Sequence, residues 1–209
     1  MLDRVLGSKE ERASLEMLSL LRKRLIIDLR PDIYECYALG PYSVFNGDER
    51  ESSRFGDAVR RAKYGNDQGA VMALSKALKE FVRRHPRLKS VAAVTAPPRS
   101  ASAAPNIPVK WAYAVAEAVG ANVVEARWKV QPTGAQKNRE GSIANNMSVV
   151  GTVHGSALIL DDTIGSGATL CELGRALREA GARRVYGLCV AKDARFTHGG
   201  VDLSKERWQ

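Results

Sequence analysis

The sequence predicts an α/β fold: a doubly wound, mainly parallel sheet flanked by helices, with a small hood beside it. Three observations lead there. Short apolar runs at Ser90 to Ala96, Ala157 to Leu160 and Val185 to Ala191 read as buried strands. Segments of helical period alternate with them, the rhythm of a parallel sheet with crossover helices. One of these strands also runs directly into two acids and a glycine-rich turn, an arrangement that open α/β sheets use at their carboxyl ends.

The elements follow in chain order. Ser8 with Glu11 forms a capping box, and Leu15, Leu18, Leu21 and Leu25 continue at helical spacing, so a first helix is expected to end by Pro31. Ile33 to Val44 has strand-like aromatic and apolar content. Ser52 or Ser53 is placed to cap a helix towards Tyr64, broken by Gly65-Asn66-Asp67. A second helix from Asp67 would bury Val71, Leu74, Leu78 and Val82 and stop before Pro86. After the strand ending at Pro97-Pro98, Pro108 opens a helix that Gly120 closes. Asn122 to Ala126 reads as one strand. A helix from about Ser166 to Ala180, stopped by Gly181, leads to the last strand.

Composition narrows the function. The 209 residues suffice for one domain with a proper core, and 44% apolar with 26% charged residues argues against disorder. No apolar stretch approaches the roughly 20 residues of a membrane span. The start, Met1-Leu2-Asp3-Arg4, lacks a secretory pattern, and Cys36, Cys171 and Cys189 have no metal-ligand spacing; the expectation is a cytoplasmic protein. The net charge of +9 points to anionic partners without choosing among phosphorylated small molecules, nucleic acid and acidic proteins. Its clusters, Arg22-Lys23-Arg24, Arg60-Arg61-Lys63, Arg83-Arg84 and Arg183-Arg184, have no interleaved aromatics and read mainly as solvated faces. Nucleic acid therefore stays open as a partner but is not favoured. His85, His154 and His198 stand apart in sequence and receive no role.

The chemistry is concentrated between Ala157 and Leu170. Asp161 and Asp162 appear at the carboxyl end of an aliphatic strand. Gly165 and Gly167 let the backbone approach an anion, and Thr163 and Ala168 are counted with them as phosphate-binding. Ser166 and Thr169 add hydroxyl donors, and the helix starting here presents its positive end. Such a cradle holds a phosphate without a lysine. Adjacent carboxylates at a phosphate site need compensation, which sugar hydroxyls and a nearby magnesium ion supply. The ligand this implies carries both a phosphate and a ribose. Asp161 and Asp162 would meet the metal indirectly, through ribose or water.

This segment closely resembles the phosphoribosyl pyrophosphate motif of type I phosphoribosyltransferases, in which two acids precede a Thr/Ser-Gly-x-Thr loop. A Walker A loop is excluded, because no Gly-Lys-Ser/Thr follows. The resemblance implies that Asp161 and Asp162 are the catalytic acids facing the ribose hydroxyls and that Gly165 to Thr169 surround the 5-phosphate. Where some members carry an acidic base at the first loop position, this chain has Gly165. Lys63 with Tyr64 and Gly65, Ala96-Pro97-Pro98, Gln136 to Arg139 and Asn145-Asn146 are similar in order to ComF-type phosphoribosyltransferases, although their N-terminal cysteine zinc module and Arg-Gly-x-Asn stretch are absent.

On that resemblance, Arg99 and Ser100 on the double-proline turn would bind pyrophosphate, joined by Lys63 and by Lys137 or Arg139 from a polar hood at 129–146 hinged near Gly134 and Gly141. Residues 1–50 would form an N-terminal helix and hood segment, and residues 51–209 a phosphoribosyltransferase-like domain, the whole one compact unit. The implied activity is transfer of phosphoribose from magnesium-bound phosphoribosyl pyrophosphate to a nitrogen acceptor, with pyrophosphate leaving. A non-catalytic ligand sensor or DNA-associated protein and a nucleotide or phosphosugar hydrolase stay open beside it. The acceptor is not readable, its pocket falling to residues 33–55 and 193–209, and a homodimer is compatible with the sequence.

Overall fold

The computed structural model describes residues 25–46, 49–99, 106–131 and 143–193. The first strand, β1 (Leu25–Ile27), pairs antiparallel with β2 (Glu35–Pro41), Leu25 opposite Ala38 and Ile27 opposite Cys36. Leu25 thus belongs to a strand, not to the end of the leucine-spaced helix. Its alternation with Ile27, both buried around the exposed Ile26, is settled by the partner strand. The capping box and the rest of that expected helix lie outside the described residues. β3 (Ser43–Asn46) and β4 (Glu49–Ser52) form a separate antiparallel pair.

Ser53 caps α1 (Arg54–Tyr64), its hydroxyl oxygen accepting from the amides of Phe55 and Gly56. Asp67 likewise caps α2 (Gln68–Arg84) by accepting from the Ala70 amide. α2 buries Ala70, Leu74, Leu78, Phe81 and Val82; Val71 is only partly buried, because the inward face turns towards Ala70 and Phe81. A short 3-10 turn (Leu88–Ser90) leads into β5 (Ala93–Thr95). α3 (Ile107–Val119) has Pro108 in its first turn and ends at Gly120, whose φ of 69° lies in the left-handed region that glycine adopts without cost.

The expected strand from Asn122 to Ala126 is divided. β6 (Asn122–Val123) joins the central sheet beside β5, whereas β7 (Ala126–Trp128) pairs antiparallel with β8 (Met147–Val149). β9 (Gly155–Ile164) is longer than its aliphatic run and continues through Asp161, Asp162 and Thr163, because β10 (Ala182–Lys192) pairs with it as far as Ile164. Between them α4 spans Ala168–Glu179, starting two residues later than expected.

The six-stranded sheet has the order β1-β2-β10-β9-β5-β6, parallel throughout except for β1. Helices cover both faces. Leu158, Leu160 and Leu188 pack with Leu78, Trp111 and Val115 of α2 and α3 on one side, while Ile159, Val185 and Cys189 pack with Leu170, Leu173 and Leu177 of α4 on the other. The protein is therefore an α/β fold with a mainly parallel, doubly wound sheet. Among the described residues no helix is long and apolar enough to cross a membrane.

Candidate functional site

The chain leaves β5 through α3 to β6 on one side, and leaves β9 through α4 to β10 on the other. Such a reversal opens a crevice beyond the carboxyl ends of the two neighbouring strands. Both sequence-predicted loops flank it: Pro97-Pro98-Arg99 follows β5, and Gly165-Ser166-Gly167 follows β9.

Successive side chains of β9 point to opposite faces. Asp162 faces α1, where its carboxylate accepts from the Lys63 amine at 2.6 Å. Asp162 is buried and Lys63 is one-third exposed. Burial works against the charge on Lys63, but the Asp162 carboxylate outweighs it and holds the amine above its ordinary value. Asp161 points the other way and accepts from the Asp162 amide at 2.8 Å. Desolvation, then the neighbouring Asp162 charge, hold its carboxyl above its ordinary value, against the pull of that amide and of Lys63.

The glycine loop leads directly into the N-terminus of α4. Gly167 precedes the first turn of α4 with a φ of 87°, so the orphan amides of that turn open over the loop. Ser166 Oγ accepts from the Ala168 amide at 3.4 Å, and Thr163, Gly165 and Thr169 lie partly exposed around the turn. A β-carbon at Gly167 would come within 2.5 Å of Leu29 Cδ2, so the absent side chain is required by the core behind the loop as much as by any ligand in front.

The double-proline turn is pinned from three sides. The Pro97 carbonyl accepts from Asn106 Nδ2 at 3.1 Å, and the Arg99 carbonyl accepts from Trp128 Nε1 at 3.0 Å and Gln131 Nε2 at 3.2 Å. The Arg99 side chain is exposed. The structure thus brings Lys63, Asp161, Asp162 and the loop together and places Arg99 on the turn after the neighbouring strand. Lys63 lies on the acid pair, a position the sequence did not indicate. Ser100, Lys137 and Arg139 lie outside the described residues.

Two features had no sequence reading. Lys192, the last residue of β10, is buried and donates to the Gly165 carbonyl at 3.4 Å, so the loop does have a lysine against it; burial pushes its amine down to about 8. A single lysine closing an apolar run carries no signal of that contact. Glu172 of α4 is also buried and accepts from the amides of Asn145 at 3.0 Å and Met147 at 2.9 Å, with Arg175 bridging at 2.7 Å. In sequence, that pair looks like an ordinary surface pair three residues apart.

The basic clusters are mostly engaged with neighbours: Arg60 with Asp57, Arg61 with Asp67 and Arg84 with Glu80. Arg22-Lys23-Arg24 lies outside the described residues.

Comparison with known proteins adds the following. No family model matches the chain. Over 56 residues it is 34% identical to a ribose-phosphate pyrophosphokinase of Ralstonia nicotianae, a match covering 26% of this chain and 18% of that protein. The match thus spans less than a fifth of that relative. Among solved structures, it is similar to the orotate phosphoribosyltransferase of Aeropyrum pernix at 18% identity, covering 73% of this chain and 74% of that one with a TM-score of 0.43. It is also similar to the adenine phosphoribosyltransferase of Leishmania tarentolae at 10% identity, covering 83% and 97% with a TM-score of 0.43.

Proposed function

We propose that the protein is a phosphoribosyltransferase that binds phosphoribosyl pyrophosphate with magnesium in the crevice and passes the phosphoribosyl group to a nitrogen nucleophile. The observation that carries this reading is the continuity of β9: one strand delivers two carboxylates and then, without a break, the glycine loop at the start of α4. The 56-residue likeness to a ribose-phosphate pyrophosphokinase agrees with ribose-phosphate chemistry.

Each part of the site has a task. The loop amides and the hydroxyls of Ser166 and Thr169 hold the 5-phosphate. Asp161 and Asp162 accept from the ribose hydroxyls, with Lys63 holding Asp162 in place. Arg99 offers a planar, permanently charged fork to the pyrophosphate. As the bond from the anomeric carbon to pyrophosphate breaks, pyrophosphate leaves with the electron pair and the acceptor nitrogen forms the new bond through an oxocarbenium-like state. The protein's contribution is positioning, charge stabilisation and exclusion of water.

The donor set suits magnesium that arrives with the substrate. Asp161 and Asp162 offer only hard oxygen atoms, and the described residues contain no group of three or more metal-binding side chains. When bound, magnesium offsets the charge of the pyrophosphate.

Thermal melting tests the binding. Phosphoribosyl pyrophosphate with magnesium should raise the melting temperature progressively with ligand concentration. Pyrophosphate release with ammonia or nucleobases as acceptors then tests turnover. No thermal shift at millimolar ligand would rule the reading out, and a shift without release under any acceptor would favour the ligand-sensing alternative.

A further inference from the structure

Lys192 stands at a strand end, where a lysine normally reaches water, yet the residue is 2% exposed. Its amine donates to the main-chain carbonyl of Asp193 at 2.7 Å and of Gly165 at 3.4 Å. Asp193, itself buried, donates its amide to the Ile164 carbonyl at 2.8 Å, and its carboxylate accepts from Arg50 at 3.2 Å. Arg50 also donates to Ser43 Oγ at 2.8 Å across the β3–β4 pair, and the Tyr42 amide donates to the Lys192 carbonyl at 2.7 Å. The Lys192-Asp193 pair is therefore a knot between the base of the glycine loop and the β3–β4 hairpin.

Withdrawing an ammonium from water is costly. Main-chain carbonyls offset part of that cost, and an anion held over Gly165 would offset more. The contact also has a direction. A carbonyl held by Lys192 is not free to turn towards an anion, which leaves the loop's amides to face it.

We propose that Lys192 is a positioning residue for the 5-phosphate of a phosphosugar: it holds the Gly165 carbonyl and sets a positive charge beside the loop. This rests on the reading of the loop as a phosphate cradle. It adds a cation to a cradle otherwise made of amides and hydroxyls, and it gives the hairpin a physical link to the site.

The test titrates ribose 5-phosphate and, separately, inorganic pyrophosphate into the full chain by calorimetry, with melting curves confirming that each variant is folded. Lys192→Met keeps the apolar stem and removes the charge. It should weaken ribose 5-phosphate binding by about tenfold to a hundredfold, the size of one lost charged hydrogen bond, and leave pyrophosphate binding nearly unchanged. Lys192→Arg should restore most of the preference for ribose 5-phosphate. Arg50→Ala unties the hairpin but leaves the amine at Gly165, and should keep that preference; a loss in Arg50→Ala equal to that in Lys192→Met would show general loosening and overturn the proposal. Equal losses for both ligands in Lys192→Met would do the same. Undiminished ribose 5-phosphate binding in that variant sinks this inference while the proposed function stands, whereas no binding by the parent protein removes both. Should Lys192→Met fail to fold, Lys192→Gln is read by the same outcomes.

Discussion

At the carboxyl end of the sheet two carboxylates have been taken out of water: the Asp162 and Asp193 side chains are 11% and 7% exposed, each held by a cation from another element. At the amino end, ion pairs also join distant parts of the chain, Arg87 with Glu35 and Arg178 with Asp32, but those acids are 21% and 36% exposed. Arg184 lies over the Tyr34 ring at 4.9 Å. His85, a fully buried titratable side chain at that end, is kept neutral: its Nδ1 accepts from the amides of Arg87 and Leu88, and burial pushes its pKa down to about 4. The contrast separates two uses of polarity. Exposed pairs typically contribute about 0–1 kcal/mol and tolerate change. Buried charge is costly to keep, and here it is kept beside the glycine loop at the end of β9.

The sharpest way to break this contrast is at Gly167. Gly167→Val forces a β-branched residue to a φ of 87° and into Leu29, and should cost about 2–5 kcal/mol of stability. Phosphoribosyl pyrophosphate binding should be lost with the loop geometry. Urea unfolding and ligand-induced melting shifts measure the two effects, and a stable variant with intact binding would place the phosphate site elsewhere.

His85 should show the next largest effect. Its folded pKa lies below the unfolded value of about 6.5, so the unfolded chain binds the proton first as the pH falls. The stability that neutral His85 permits is fully present above pH 6.5. It should decline by about 3 kcal/mol as the pH falls through about 4. The urea midpoint followed from pH 7 to 4 should fall more steeply for the parent than for His85→Gln. Identical slopes would mean that this end of the sheet does not exclude charge as described.

The smallest effect sharpens the contrast from the opposite side. Replacing Arg183 and Arg184 together with Ala should change stability by about 0.5 kcal/mol or less and leave ligand binding and pyrophosphate release intact. A large loss of DNA binding in this variant, at fixed salt, would instead revive a nucleic-acid role for the amino end.

The sequence revealed most where the signal was local. Ser53, Asp67, Pro108 and Gly120 each satisfy or terminate backbone groups within a few residues, so they could be read without knowing the fold. Strand partnership was less legible. Leu25 fits a leucine stripe and a strand equally well, and the stretch from Asn122 to Ala126 does not reveal that it serves two different sheets. The site divided along the same line. The acid pair and loop are contiguous and were found together, whereas the Lys63–Asp162 pair joins residues 99 positions apart and the Lys192–Gly165 contact joins residues 27 apart. Neither contact has a period or motif, because both are products of the completed sheet.

The central sheet ends in β1 on one side and β6 on the other, strands of three and two residues. An unpaired strand edge is a row of main-chain donors and acceptors that can recruit another chain, and the strength of such recruitment grows with the length of the row. Within the described sheet each edge offers too few such groups for a continuous ladder between copies. If copies of this protein associate, the described sheet favours contacts through helical faces or the small hairpins, where side chains choose the partner, over backbone pairing that would accept almost any strand.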